Sequence, residues 1–221
     1  MKLLDPLIQL SQQMLDTLLP NHCLHCGKPD QDYICSPCFS STPFELRSFD
    51  FNGLTVWAAT PYDGVAKTCL HHIKFEGHRP LLTQWTSVLN QFPIPLPEIA
   101  FDHWVVVPGS ADRIRSRGMD VTDVLFSQWI CWDPRKKSSP IRRTRNTRPL
   151  FDLSPAERES ELRHAFDCPT DVTGQHIVLV DDILTVGTTL SACADCLYRS
   201  GAAKVTGFTL CHPLLVTGLS K

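Results

Sequence analysis

The most informative segment for the fold class is His176-Ile-Val-Leu-Val-Asp-Asp-Ile-Leu-Thr-Val-Gly-Thr-Thr-Leu190. Ile177 to Val180 is a short continuous apolar run, which is typical of a parallel strand covered on both faces. Asp181 and Asp182 follow at its carboxyl end, where ligands bind in open α/β sheets. The stretch therefore predicts an α/β domain with a ligand site at this strand end.

The residues after the acidic pair predict a phosphate-binding loop at the start of a helix. Leu190, Cys193 and Leu197 recur at helical spacing, and Gly201 follows where a left-handed cap is favoured. A second strand over residues 204–210 would complete a βαβ unit. Backbone N–H groups at such a helix start can hold a phosphate. The candidate loop consists of Thr185, Val186, Gly187, Thr188 and Thr189.

The acidic pair adds sugar and metal chemistry to this loop. Carboxylates can accept hydrogen bonds from a vicinal diol and bind Mg²⁺ directly or through water. Asp181, Asp182 and the loop together predict a ribose 5-phosphate ligand. Two other interpretations are an ordinary α/β loop and the phosphoacceptor pocket of a receiver domain. The position of the pair late in the sequence disfavours the receiver domain.

Composition indicates one α/β domain with a small appendage. The chain has 221 residues, a net charge of −2 and 43% hydrophobic residues. No stretch is apolar enough to span a membrane, so we expect a cytoplasmic protein, with peripheral contact to the inner membrane as the alternative. Residues 1–20 predict an amphipathic helix that packs on its own domain or, alternatively, binds a partner or a membrane surface.

Four of the ten cysteines predict a zinc knuckle over residues 21–44. Two Cys-x-x-Cys pairs can offer four thiolates to a tetrahedral structural Zn²⁺. The predicted ligands are Cys23, Cys26, Cys35 and Cys38. Redox-active cysteines are the less favoured alternative, because a thioredoxin-like motif occurs singly after a strand. Cys193 lies on the apolar face of the predicted helix, and we interpret it as a core residue.

The main domain is predicted over residues 51–221. Leu54 to Ala59 has the pattern of its first strand, and Trp104 to Val107 of a second, which ends at a Pro-Gly-Ser loop. Residues 68–90 are expected to be mostly helical. Positive charges cluster from Arg135 onward, and a mobile loop is expected there. The candidates for binding single-stranded nucleic acid are Arg142, Arg143, Arg145 and Arg148.

These features together resemble the ComF family, zinc-knuckle proteins with a type I phosphoribosyltransferase-like domain that are linked to the uptake of transforming DNA. The likeness runs from Cys23 to His212 and includes Lys74-Phe-Glu-Gly77 and Arg117-Gly118. It implies a parallel sheet flanked by helices and a site for phosphoribosyl pyrophosphate with Mg²⁺. It also implies pyrophosphate contacts from Lys74, Arg113 or Arg117, and DNA-translocation proteins as partners.

The chain departs from the family pattern beside the proposed ligand. Val186 replaces a hydroxyl residue of the phosphate loop, and Met119, Asp120 and Val121 stand where members have Phe-Asn-Gln. Three functions are therefore compared. The first is binding of phosphoribosyl pyrophosphate while assisting single-stranded DNA handling in natural transformation. The others are an active phosphoribosyltransferase on a base or amine, and a non-catalytic zinc-dependent interaction module with a vestigial pocket.

Overall fold

The computed structural model describes residues 22–51, 53–91, 100–129, 133–145, 147, 153–162 and 164–213. The amphipathic helix predicted over residues 1–20 and the candidate Arg148 lie outside these residues. Within the described ranges, no helix combines the length and the apolarity needed to cross a membrane.

A six-stranded sheet forms the centre of the protein, in the order β1-β2-β8-β7-β3-β4. The strands are β1 Arg47–Phe51, β2 Leu54–Pro61, β3 His103–Val106, β4 Lys137–Ser138, β5 Arg142–Arg143, β6 Phe166–Asp167, β7 His176–Ile183 and β8 Lys204–His212. All neighbours in the large sheet pair in parallel except β1 with β2. Strands β5 and β6 form a separate antiparallel ribbon. The α/β class with a mostly parallel sheet is confirmed.

Helices flank the sheet on both sides. They are α1 Ser36–Ser40, α2 Gly64–Phe75, α3 Arg79–Gln91, α4 Ala111–Arg117, α5 Val121–Gln128, α6 Pro155–Leu162 and α7 Thr188–Arg199, with a 3₁₀ turn at Pro134–Lys136. The helical prediction over residues 68–90 is confirmed, with a break between α2 and α3 where Gly77 takes a φ of 67°. Gly201 has a φ of 95° after α7, as the left-handed cap requires.

Strand β7 is buried on both faces. Ile177 and Leu179 pack in the apolar cluster under α7, whereas Val178 and Val180 pack in the cluster under α2, α3 and α5. Side chains of a strand alternate between faces, so a doubly covered strand must be apolar at every position. This is why the sequence pattern identified the strand.

The prediction that the main domain begins with the strand at Leu54 is wrong, because β1 precedes it. Strand β1 pairs antiparallel with β2, with Phe51 opposite Leu54 and Gly53 at a φ of 85° in the turn. Most of β1 is exposed or half-buried. An edge strand of this kind needs no apolar run, so the sequence carried little signal for it.

The knuckle segment packs directly on α3. Ile34 and Phe39 lie in the same apolar cluster as Trp85, and the Phe39 and Trp85 ring centroids are 5.8 Å apart. The Gln84 side chain donates to the Ile34 carbonyl at 2.9 Å and accepts from the Ile34 N–H at 3.2 Å. The two segments thus share one core.

The expectation of a mobile loop in the basic stretch is wrong for residues 134–143. Strand β4 pairs with β3, and Arg142 and Arg143 pair with Asp167 and Phe166 of β6. Backbone pairing with partners far away in sequence orders this stretch despite its charge.

Candidate functional site

The loop between β7 and α7 has the geometry of an anion site. Gly187 precedes α7 with a φ of 73°, and its carbonyl accepts from the Ser191 N–H at 2.9 Å. A residue with a Cβ takes this left-handed conformation only with strain. The helix therefore begins sharply after the loop, and its first N–H groups are available at that end.

A cavity of about 470 Å³ lies at the carboxyl end of β7, and we call it the strand-end cavity. Its walls include these predicted ligand residues: Lys74, Arg113, Arg117, Asp181, Asp182, Thr185 and Thr189. They come from α2, α4, β7, the loop before α7 and the first turn of α7. The Pro108-Gly-Ser110 turn after β3 lines the same cavity. Segments that are distant in sequence meet here because the parallel strands end at one edge of the sheet.

A network of hydrogen bonds holds the acidic pair. Lys74 Nζ lies 2.7 Å from Asp182 Oδ1, and Thr122 Oγ1 donates to Asp182 Oδ2 at 3.2 Å. The Asp182 N–H donates to Asp181 Oδ1 at 2.8 Å. Burial, together with the neighbouring Asp182 carboxylate, raises the pKa of Asp181 to about 7. One carboxylate is thus neutralised by a lysine, while the other titrates near neutral pH.

The arginines of the cavity lack carboxylate partners. Among the described residues, no acidic side chain lies within ion-pair distance of Arg113, Arg117 or Arg143. Burial and the nearby Arg113 lower the pKa of Arg117. The cavity therefore presents three guanidinium groups that form no ion pair among the described residues, together with Asp120, Asp181 and Asp182.

Arg143 lines the strand-end cavity although the sequence placed it among the nucleic-acid candidates. Its guanidinium donates to the Pro108 carbonyl at 3.2 Å and to Thr147 Oγ1 at 2.6 Å, and lies 4.9 Å from the Phe166 ring centroid. Burial lowers its pKa. The pairing of β5 with β6 turns this residue inward, and no local sequence signal could have shown that.

One further cavity residue was missed, namely Thr122, whose hydroxyl orients Asp182. Asp120, which the sequence showed as a departure from the family pattern, caps α5 by accepting from the Asp123 N–H at 3.2 Å. Burial raises the pKa of Asp120. A Cβ on Gly109 would lie 3.1 Å from Asp120 Oδ2, so the turn after β3 packs closely against this carboxylate. The family departure at Asp120 therefore places an acid beside the proposed anion site.

Three residues of the predicted phosphate loop do not line the strand-end cavity. Val186 and Thr188 border a second cavity, and Val186 is 47% exposed. A Cβ on Gly187 would lie 2.8 Å from the ring of Phe51. The neighbour that requires glycine at this position is thus an aromatic ring of β1.

The four knuckle cysteines have the arrangement of a tetrahedral metal centre. Their sulfur atoms all lie within 4.8 Å of one another, with Sγ separations of 3.8 Å for Cys23–Cys38 and 3.7 Å for Cys26–Cys35. A Zn–S bond of about 2.3 Å in a regular tetrahedron gives sulfur separations of about 3.8 Å. Burial opposes ionisation of Cys23, yet hydrogen bonds from backbone N–H groups lower its pKa to about 6. The donor set fits Zn²⁺.

Acidic side chains neutralise most of the basic stretch. Arg142 pairs with Asp167 at 2.7 Å, and Arg145 pairs with Glu161 at 3.3 Å. Arg135 pairs with Asp133 at 2.9 Å, and Lys137 pairs with Asp123. The density of positive charge in the sequence is therefore not matched by unpaired cations in the structure.

No family model matches the chain. It is 38% identical over 207 residues to the DNA utilization protein YhgH of Escherichia coli K12, covering 87% of this chain and 84% of that protein. It is 30% identical over 154 residues to the competence protein ComFC of Bacillus subtilis, covering 67% and 60%. A putative ribose-phosphate pyrophosphokinase 2 of Streptococcus pyogenes is 31% identical over 110 residues, covering 48% and 31%. With this similarity along most of its length, the chain belongs to the ComF family.

Proposed function

We propose that this protein binds phosphoribosyl pyrophosphate with Mg²⁺ in the strand-end cavity and assists the handling of single-stranded DNA during DNA uptake. The observation that carries the ligand is the cavity itself, which joins an acidic pair, two threonines and unpaired arginines. Such a ligand needs groups for a diol, a phosphate and a pyrophosphate. The relative named as a ribose-phosphate pyrophosphokinase supports the same ligand class.

Each group of the cavity has a role that its chemistry suits. Asp181 and Asp182 accept hydrogen bonds from the ribose diol. Thr185, Thr189 and the N–H groups at the start of α7 bind the 5-phosphate. Mg²⁺, when present, would be held by the carboxylates and would neutralise phosphate charge.

The pyrophosphate end of the ligand requires cations. Arg113 and Arg117 reach the cavity from α4 without carboxylate partners in the described structure, and Arg143 reaches it from β5. Lys74 is held at 2.7 Å by Asp182 and adds a fourth positive charge. A planar guanidinium can form paired hydrogen bonds with phosphate oxygens, which favours the arginines for this contact.

A titration tests the ligand. Isothermal calorimetry with phosphoribosyl pyrophosphate and Mg²⁺ should show saturable binding to the wild type. Asp181→Asn combined with Asp182→Asn should abolish it, because the diol and Mg²⁺ lose their acceptors. Asp171→Asn is the matched control, since this carboxylate accepts from the Thr173 N–H at 2.9 Å in a turn and does not line the cavity. Absence of wild-type binding, or equal binding by the double variant, would refute the ligand assignment.

Transfer of the phosphoribosyl group is a second candidate function, and the arginines favour it. A leaving pyrophosphate gains negative charge in the transition state, and fixed guanidinium groups stabilise that charge. Incubation with the ligand and a panel of bases and amines should then release pyrophosphate. Binding without release across the panel would leave the protein as a ligand-binding member of its family.

The DNA part of the proposal rests on the relatives. Proteins named for DNA utilization and competence align with most of this chain. We expect the protein to act in the cytoplasm, because thiols persist in reducing compartments and all described cysteines are free thiols. Binding of a labelled single-stranded oligonucleotide, measured by fluorescence anisotropy, tests the DNA part independently of the ribose ligand.

A structural Zn²⁺ in the knuckle completes the proposal. Metal analysis of the purified protein should find about one equivalent of zinc, and Cys26→Ser or Cys35→Ser should lose it. Cys168→Ser is the matched control, because this thiol lies outside the metal set and donates to the Thr170 carbonyl at 3.4 Å. Retention of zinc by the knuckle variants would contradict the assignment.

A further inference from the structure

Phe75 stands at the rim of the strand-end cavity with its ring turned to solvent. It is the last residue of α2, lines the cavity beside Lys74, and is 65% exposed. Single apolar residues on a surface are common and carry no meaning alone. The surroundings of this ring distinguish it, because they fix it in place and surround it with positive charge.

The end of α2 is held firmly under this ring. The Glu76 N–H donates to the His72 carbonyl at 3.1 Å, and the Glu76 carboxylate lies 2.8 Å from His72 Nδ1. The His71 ring packs against Phe75 with centroids 5.0 Å apart. A ring held in this way loses little conformational freedom when a flat partner stacks on it.

One arginine lies over the exposed ring, and a second lines the same cavity. The Arg117 guanidinium lies 6.0 Å from the Phe75 centroid, and Arg113 lines the strand-end cavity with both residues. Neither has a carboxylate partner within the described chain. An aromatic face beside unpaired guanidinium groups complements a flat base attached to a phosphate.

We propose that Phe75, Arg113 and Arg117 form a stacking platform, on which a nucleobase lies against Phe75 while its phosphate meets the arginines. The inference deepens the proposed function and rests on it for the binding of an anionic ligand in the cavity. The base can come from a free nucleotide or from single-stranded DNA that crosses the cavity rim. Both sources present the same chemistry to the platform.

The test compares a deoxythymidine oligomer of about 12 nucleotides with an abasic oligomer of equal length, by fluorescence anisotropy. The wild type should bind the base-bearing strand about tenfold more tightly, because stacking adds to phosphate contacts. Phe75→Leu should bind both strands equally, whereas Phe75→Tyr should keep the preference. Thymidine 5′-monophosphate serves as the free-nucleotide arm, measured by calorimetry on the same proteins.

The outcomes separate the platform from the proposed ligand site. The platform is overturned if Phe75→Leu still binds the base-bearing strand more tightly than the abasic strand. It is also overturned if the wild type shows no such preference for the base-bearing strand and does not bind the nucleotide. Phosphoribosyl pyrophosphate carries no base, so its affinity should change less than twofold in Phe75→Leu. If that ligand fails to bind while base preference depends on Phe75, the ligand proposal falls and the platform stands.

Discussion

Two sets of cationic side chains in this protein differ in whether an acidic side chain pairs with them. The basic stretch is dense in sequence, yet Arg142 and Arg145 each pair with an acidic side chain at 2.7 and 3.3 Å. Arg113 and Arg117 belong to the short arginine-rich helix α4, yet they line the strand-end cavity without a carboxylate partner in the described chain. Charge available to a ligand therefore depends on which acids the fold brings near, and not on charge density along the chain.

The largest loss of ligand affinity should come from removing the two unpaired arginines of α4. Arg113→Ala combined with Arg117→Ala should weaken phosphoribosyl pyrophosphate binding by about 100-fold or more, since each charged hydrogen bond contributes about 1.5–3 kcal/mol. Arg142→Ala combined with Arg145→Ala is the matched control, and should change the affinity less than twofold. Calorimetric titration measures the ligand affinity of both double variants. Equal losses of affinity would contradict the distinction between unpaired and paired arginines.

Arg143 tests whether ligand affinity depends on where an arginine lies in the structure or on its place in the basic stretch. Arg143→Met keeps the apolar contact with Phe166 but removes the charge from the cavity. Ligand affinity should fall about tenfold, as for loss of one charged hydrogen bond. The adjacent Arg142→Met should leave affinity unchanged, because that side chain points to Asp167. If the two variants behave alike in the same titration, the inward placement of Arg143 has no functional weight.

The cavity also holds acids whose charge depends on pH. The pKa of Asp181 is raised to about 7 in the folded protein, against about 3.9 for an unfolded chain. The folded state therefore binds this proton more tightly, and the resulting stabilisation, present at low pH, declines as pH rises from about 4 to about 7. Between pH 5 and 8 the wild-type melting temperature should fall more than that of Asp181→Asn. Parallel melting curves would contradict the shift.

The smallest effect should come from releasing one arginine of the paired set. Asp167→Ala removes the acidic partner of Arg142. One cation becomes available, so the salt dependence of single-strand binding should steepen by about 0.7. Stability should change little, because exposed ion pairs contribute under about 1 kcal/mol. An unchanged slope in anisotropy titrations at several salt concentrations would show that pairing does not limit the basic stretch.

The sequence predicted the elements that are determined by the residue pattern within one short segment. The doubly buried strand around Ile177 and the helix that begins after Gly187 left continuous apolar and helical patterns. The clustering of the four cysteines was equally readable, because a metal site needs fixed residue types at close spacing.

The remaining features depend on contacts between distant segments. Strand β1 is an exposed edge strand that no apolar run requires. The inward placement of Arg143 follows from its backbone pairing with Phe166. The close approach of Phe51 to Gly187 brings the end of β1 against the loop before α7. None of these contacts has a signature within a short window of sequence.

The shared core of the knuckle and α3 would link the proposed Zn²⁺ to protein abundance. Ile34 and Phe39 pack with Trp85, so the free energy of Zn²⁺ binding at the four cysteines would not be confined to the knuckle. A chelator that removes the ion from the thiolates should loosen α3 as well, and a loosened helix is exposed to proteases. On the proposed zinc site, cells starved of zinc are expected to hold less of this protein, whatever the supply of its ligand.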